Sequence, residues 1–140
     1  MYRVDIEERM NQLKRELERV RDNRQKLQRE REQQENLIYQ ARVQKQNIED
    51  NVQASFQHIA NKVQGVNARS RFRTTYLENI KSILYGQNYS KIIEESENIG
   101  RQAQQKYWRL DEDIRWCNSE IQRLEREIDE IYQQLTQLEG

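Results

Sequence analysis

The chain has few of the residues that interrupt helices or build catalytic and metal sites. Its 140 residues contain no proline and only four glycines, so little in the sequence breaks a helix. Cys117 is the only cysteine and His58 the only histidine, which excludes an internal disulfide and leaves a metal site or histidine-based dyad without partners. Carboxylates are abundant, but we expect them on solvated helix faces. The sequence therefore predicts a non-enzymatic protein with no catalytic, metal or cofactor-binding residues.

Apolar residues are also scarce. Hydrophobic residues make up 34% of the chain, charged residues another 34%, and the mean hydropathy is −1.23. This is too little apolar surface for a compact globule, although it suffices for the stripe of a long helix. No apolar run approaches the roughly 20 residues of a membrane span. Residues 2–5 form no apolar signal core, so we expect cytoplasmic synthesis, with any export following a leaderless route.

The strongest pattern in the sequence is a heptad seam in the last third of the chain. Steps of three and four residues alternate, and every position is apolar or aromatic, which indicates a helix that needs a facing helix. The seam comprises Tyr107, Leu110, Ile114, Cys117, Ile121, Leu124, Ile128, Ile131, Leu135 and Leu138.

A second seam with the same spacing runs along the N-terminal half and predicts a helix over about residues 3–63. Four of its middle positions are polar: Arg24, Arg31, Gln34 and Lys45. The remaining members are Ile6, Met10, Leu13, Leu17, Val20, Leu27, Ile38, Ala41, Ile48, Val52, Ser55 and Ile59.

The region between the seams predicts a short helix over about residues 68–85 and a turn at 86–90. Asn67 or Ser70 is a candidate cap for its start, and Gly86 is expected to end it. The last helix is expected over about residues 90–138.

The upstream end of the last helix has a less regular pattern. Ile92, Ser96, Ile99 and Ala103 extend the seam, but the step from Ala103 to Tyr107 adds a second consecutive step of four. Such a stutter locally unwinds a left-handed supercoil. Neighbouring Gly100 is expected to weaken the helix by about 1 kcal/mol relative to alanine.

These elements predict an all-α protein of one domain over residues 1–140, an elongated antiparallel coiled-coil hairpin with its short third helix near the connecting end. Residues 1–75 hold 16 Lys/Arg and 11 Asp/Glu, whereas residues 76–140 hold 8 and 13, so the two halves attract. A register in which paired seam positions sum to about 144 places Arg24 beside Glu120 and Arg31 beside Asp113. The alternative is a parallel homodimer through the Tyr107–Leu138 seam.

Several aromatic and apolar residues lie off the seams. Trp108 and Trp116 are eight residues apart, and Tyr132 follows on the same helix, while Leu37 and Val43 flank the first seam. These side chains either pack under the short helix or bind a protein partner, for which tryptophan is a common anchor.

A second candidate surface is basic. Residues 51–77 contain Lys62, Arg69, Arg71 and Arg73 and no acidic residue. A connector packed on the end of the hairpin is the favoured interpretation, with RNA or an anionic membrane as the alternative.

The stretch from residue 76 to residue 128, 53 of the 140 residues, resembles the small α-helical partner proteins encoded beside LXG toxins of the Gram-positive type VIIb secretion system, mainly in the segments 76–83, 96–99 and 119–128. The resemblance implies a targeting chaperone that binds the helical N-terminal domain of a toxin and promotes its export, often with a second small WXG-like protein. Substrates of such systems often carry Tyr-x-x-x-Asp/Glu, which Tyr107 and Asp111 match. A Trp-x-Gly turn is absent, because Leu110 and Asn118 follow two residues after the tryptophans.

The chain is also similar to the FliJ-like stalk protein of flagellar and type III export ATPases. A third interpretation is a structural or tethering coiled coil. All three predict a protein that acts through protein contacts, without nucleic acid.

Overall fold

A computed structural model describes residues 2–139 and forms three α-helices over this range: α1 (Arg3–Gln64), α2 (Ser70–Leu84) and α3 (Gln87–Glu139). No strand occurs among these residues. The prediction of an all-α helical hairpin with a short middle helix is confirmed. Over the same residues, no helix is both long enough and apolar enough to cross a membrane.

The start of α2 differs from the expected capping arrangement. Arg69 occupies the N-cap position in an extended conformation (φ −62°, ψ 140°), and its side chain makes no capping hydrogen bond. The prediction that Asn67 or Ser70 caps this helix was therefore wrong. Ser70 is already the first helical residue, and its carbonyl oxygen accepts a hydrogen bond from Thr74 Oγ1 at 3.0 Å.

The third helix starts three residues earlier than predicted, so that only Tyr85 and Gly86 separate it from α2. The turn predicted over residues 86–90 was wrong for its last four positions. The Tyr89 ring packs edge-on against the Tyr85 ring, with 5.1 Å between centroids, and Ser90 N donates to Gly86 O at 3.1 Å. These contacts explain why helical structure resumes at Gln87.

The chain divides into two compact units, and each long helix contributes to both. Unit 1 combines α1 up to Gln34 with α3 from Gln105 onward, and unit 2 is Glu35–Gln104. The single-domain organisation stays a prediction.

In unit 1, the two predicted seams meet and form the core. Leu13 and Leu17 from α1 cluster with Ile121 and Leu124 from α3, and Cys117 and Leu124 are fully buried. Val20, Ile128 and Ile131 complete the cluster. Because the α3 seam is covered by α1 of the same chain, it is not free for a parallel homodimer in this conformation.

Salt bridges across the α1–α3 interface have one polarity: in each of them, α1 supplies the base and α3 the acid. This matches the opposite net charges of the two halves. These pairs remain partly exposed to solvent, and each contributes roughly 0–1 kcal/mol, so their main role is to favour one register. They are Arg3–Glu139 (2.7 Å), Arg9–Glu127 (3.6 Å), Arg21–Glu125 (2.8 Å) and Arg31–Asp111 (2.8 Å) in unit 1, and Lys45–Glu97 (3.0 Å) in unit 2.

The antiparallel register is close to the predicted one, but it is displaced by about two residues. Arg24 Nη1 donates to Asn118 Oδ1 at 3.0 Å rather than pairing with Glu120. Arg31 pairs with Asp111 rather than with Asp113. The numbers of these paired residues sum to 142. The acidic partners were wrong because a heptad pattern fixes which faces meet, whereas the relative axial position depends on the detailed packing of side chains.

Unit 2 contains the largest departure from the predicted seam. Ile92 and Ile99 are 43% and 48% exposed, and the half-buried Ile93 and Gly100 take their places. Steps of four and three then alternate without interruption: Tyr89, Ile93, Ser96, Gly100, Ala103 and Tyr107. The predicted stutter was therefore wrong, since it came from assigning Ile99 instead of Gly100 to the seam.

The buried residues of unit 2 are small, namely Ala41, Ser96 and Ala103. Small side chains allow the α1 and α3 backbones to approach closely. A Cβ atom placed on Gly100 would lie 3.8 Å from Ala41 Cβ, which is normal van der Waals contact.

Candidate functional site

Trp108 and Trp116 lie on the solvent side of α3 in unit 1. Each adjoins a seam residue in sequence, Tyr107 and Cys117 respectively, and their own side chains are 60% and 58% exposed. Eight helical residues separate them by about 12 Å along the axis and about 80° around it. Neither side chain is core, so the tryptophans are available to a partner of this chain.

The exposed Glu112 lies midway between the two tryptophans, four residues from each. We call Trp108, Glu112 and Trp116 the tryptophan face. Next to it, Arg115 Nη2 forms a salt bridge of 3.0 Å with Asp111 Oδ2. The face is therefore aromatic with charges of both signs nearby, which is the composition of an interface anchor with a polar rim.

The other predicted partner-binding residues are exposed but do not join this face. Tyr132 is 65% exposed, yet sixteen residues place it about 24 Å from Trp116 along the axis and on a nearly opposite side of α3. Leu37 and Val43 are 41% and 37% exposed and belong to unit 2.

Sequence reasoning missed the exposed aromatic residue Tyr39. Its side chain is 66% exposed, and it lies four residues before Val43, so both are on one side of α1. An aromatic residue adjoining seam residue Ile38, four residues from another off-seam apolar side chain, was the signal available in the sequence.

The Tyr107–Asp111 pair, the predicted export motif, makes contacts within unit 1. Arg31 of α1 reaches both residues: its guanidinium carbon lies 5.9 Å from the centroid of the half-buried Tyr107 ring, and its Nη1 donates to Asp111 Oδ1 at 2.8 Å. Asp111 is thus bound by Arg31 and Arg115 together. The role of the pair in export stays a prediction.

The remaining predicted register-setting acids have different surroundings. Glu120 forms a salt bridge of 2.7 Å with Arg123 of its own helix. Asp113 is exposed and forms no ion pair among the described residues. Neither acid forms a hydrogen bond or salt bridge with the seam arginine assigned to it from the sequence.

Four of the described groups, Lys45, Tyr89, Cys117 and Arg123, have raised pKa values, through burial or through a neighbouring carboxylate. Burial raises the pKa of the Cys117 thiol, while the Asn23 amide, with Nδ2 3.8 Å from the sulfur, opposes this. The hydrogen bond that Lys45 Nζ donates to the Glu97 carboxylate raises the pKa of the Lys45 ammonium group. Neither arrangement pairs a nucleophile with a base. Across residues 2–139, no cluster of three or more His, Cys, Asp or Glu residues is placed to hold a metal ion.

The fold defines the chain as an α-helical hairpin protein. No family model matches it, and no curated protein or solved structure is significantly similar to it. Function is therefore inferred from the side chains of this chain and from the resemblance described above.

Proposed function

We propose that this chain is a non-enzymatic helical adaptor that binds a helical partner protein through the tryptophan face. The observation that supports this most strongly is the 60% and 58% exposure of Trp108 and Trp116. The seam residues beside them are buried against α1, so the tryptophans are not required to hold unit 1 together.

The affinity available from this face is substantial. A tryptophan side chain buries up to about 250 Å² in an interface. At about 25 cal/mol per Å², covering the exposed part of each ring stabilises a complex by roughly 2–3 kcal/mol after ordering costs. Each tryptophan would therefore contribute as much binding free energy as a typical hot-spot residue.

A helix is the partner element that best fits the spacing. Trp108 and Trp116 are separated by about 12 Å along a regular helix, so a groove between two partner helices can accept both rings with Glu112 between them. The rim charges, Arg115 and Asp111 among them, would select partners of complementary pattern.

We further propose that the partner is the helical N-terminal domain of an LXG toxin and that the adaptor promotes export of that toxin by the type VIIb secretion system. The resemblance of residues 76–83, 96–99 and 119–128 supports this assignment. A second small WXG-like protein fits the same role as an additional partner. The chain would act where it is synthesised, in the cytoplasm, or leave with the toxin by the leaderless route.

The proposal is tested by titrating the full chain into the N-terminal domain of an LXG toxin encoded beside its gene, using isothermal titration calorimetry. We expect a saturable complex. Trp108→Ala with Trp116→Ala should weaken it by at least about 100-fold, the loss of two hot-spot side chains. Tyr39→Ala is the matched control, since it removes an aromatic ring of similar exposure from unit 2.

Circular dichroism of each variant establishes that helicity is retained. Unchanged affinity in the double tryptophan variant would contradict the proposed surface. Failure of the wild-type chain to bind the toxin domain, together with binding to a flagellar or type III export ATPase, would replace the toxin role with that of a stalk protein.

A further inference from the structure

An open cavity of about 320 Å³ lies within unit 2, between the last turns of α1 and the first turns of α2. Its apolar lining comes from Ile59, Val63, Val66, Phe72 and Tyr76, and its basic lining from Lys62 and Arg73. We call it the α1–α2 cavity. The Phe72 and Tyr76 rings stack with 6.4 Å between centroids and 17° between planes, and they are 63% and 42% exposed.

The two basic residues that line this cavity, Lys62 and Arg73, have no acidic partner among the described residues, and neither do Arg69 and Arg71, which are near Arg73 in sequence. Lys62, Arg69, Arg71 and Arg73 form no salt bridge there, whereas Lys45 in the same unit is paired with Glu97. No Asp or Glu occurs between residues 51 and 77. The Nε atom of Arg73 is shielded from solvent and has no hydrogen-bond partner. A shielded guanidinium donor without an acceptor favours binding of a carboxylate.

The exposed side of α2 continues the apolar surface away from the cavity. Phe72, Tyr76 and Ile83 follow one another at spacings of four and seven residues, so they form a stripe along α2, and Ile83 is 74% exposed. The stripe and the cavity share Phe72 and Tyr76. The fifteen residues of α2 extend for roughly 22 Å, or about four turns.

We propose that this surface binds an acidic amphipathic helix of a partner protein. An aliphatic side chain of that helix enters the α1–α2 cavity, and a neighbouring Asp or Glu carboxylate accepts hydrogen bonds from Arg73 and Lys62. Further apolar residues of the partner helix pack along the Phe72–Ile83 stripe. The acidic character follows from the unpaired Lys62 and Arg73 in the cavity lining, and the amphipathic character from the apolar residues next to them.

A protein helix fits this surface better than nucleic acid or lipid does. Arg69, Arg71 and Arg73 are two residues apart, so Arg71 lies far around the helix from the other two, and no continuous track for phosphates results. A lipid surface favours a flat apolar face with basic flanks, whereas this apolar surface is concave at its centre. The surface lies in unit 2, and its occupancy does not depend on the tryptophan face.

The test uses two fluorescein-labelled, end-capped 16-residue peptides with leucine at the same heptad positions. One carries glutamate and the other lysine at the remaining positions. Fluorescence anisotropy measures binding of each peptide to the full chain. We expect saturable binding of the glutamate peptide that weakens with added salt, and no saturable binding of the lysine peptide.

Two charge-matched double variants locate the site. Lys62→Gln with Arg73→Gln should weaken binding of the glutamate peptide by about tenfold or more, the usual effect of losing a charge-assisted hydrogen bond. Lys81→Gln with Lys91→Gln removes the same charge from exposed positions of unit 2 outside the cavity lining, and it should change binding less than about twofold. The single variant Lys62→Gln, at an exposed position, serves if the Arg73 change disturbs folding.

Three results would overturn the proposal. The first is equal loss in both double variants, which would indicate a general charge effect. The second is equal affinity for the two peptides. The third is no binding of the glutamate peptide, including the case in which phosphatidylserine vesicles or single-stranded RNA bind and are released by Lys62→Gln with Arg73→Gln.

Discussion

Gly100 and Gly86 provide a stability test in which one substitution has opposite effects at two glycines. Gly100 lies within α3 and in the seam of unit 2. Its replacement by alanine places a Cβ 3.8 Å from Ala41 Cβ, an ordinary contact. Alanine is favoured over glycine within a helix by about 0.8–1.0 kcal/mol, and burying a methyl group adds up to about 0.8 kcal/mol. Gly100→Ala should therefore raise the free energy of unfolding by roughly 1–1.5 kcal/mol.

At Gly86 the same change meets a fixed obstacle. A Cβ atom there would lie 2.7 Å from the backbone carbonyl oxygen of Ser82, which cannot move without distorting the end of α2. Overpacking of this kind costs about 1–3 kcal/mol. Gly86→Ala should therefore lower the free energy of unfolding even though it also introduces alanine.

Urea denaturation followed by circular dichroism at 222 nm measures both effects. We expect the transition midpoint to rise for Gly100→Ala and to fall for Gly86→Ala, with little change in the slope of the transition. A loss of stability in Gly100→Ala would contradict the observed spacing between α1 and α3 in unit 2. A gain in Gly86→Ala would contradict the close contact with Ser82.

Three further predictions concern unit 1. Leu124→Ala empties a fully buried position and should lower the free energy of unfolding by about 2–5 kcal/mol in urea denaturation; a loss below about 1 kcal/mol would contradict its place in the core. Burial raises the pKa of the Cys117 thiol in the folded chain. The contribution of this thiol to the free energy of unfolding is therefore complete below its ordinary pKa, and it is lost as the pH rises through the raised pKa of the folded chain. Denaturation between pH 7 and pH 10 should show a smaller decline in Cys117→Ala than in the wild type, and equal declines would refute this. Arg31 and Asp111 remain 30% and 27% exposed, so a double-mutant cycle should give a coupling free energy of about 1 kcal/mol or less. A coupling free energy several times larger would show that the pair is excluded from solvent.

The sequence was sufficient to predict the faces of the long helices in unit 1. Large apolar side chains at heptad spacing have one way to leave water together, namely against a second stripe of the same kind. Leu17 and Leu124, predicted as seam residues, are buried as expected. The opposite charges of the two halves likewise predicted attraction between α1 and α3, and the interhelical salt bridges show it.

The heptad pattern mispredicted the seam of α3 in unit 2, where burial depends on the space between the helices rather than on the hydrophobicity of the side chain. Ile99 is apolar but exposed, whereas Gly100 takes the seam position because the neighbouring α1 residue, Ala41, leaves little distance between the backbones. Nothing in the local sequence ranks a glycine above an isoleucine for that position. The partners of Arg24 and Arg31 were misassigned for a related reason, since a displacement of two residues leaves the buried faces unchanged.

The candidate surfaces could be predicted only in part. Off-seam tryptophans indicated either a second core or an interface, and their exposure in the folded chain was needed to choose between these. The α1–α2 cavity depends on how α2 packs against the end of α1, which the periodicity of the two separate helices does not specify. The acid-free stretch 51–77 was visible in the sequence, but the shielded Nε of Arg73 was not.

The most direct test of the adaptor function is collisional quenching of tryptophan fluorescence, because Trp108 and Trp116 are the only tryptophans in the chain. Acrylamide should quench both efficiently in the chain alone, as their exposure requires. Addition of a tryptophan-free variant of the LXG toxin N-terminal domain at saturation should protect both and shift their emission to shorter wavelength. Equal quenching with and without the bound domain, or two tryptophans already protected in the chain alone, would contradict the proposed binding surface.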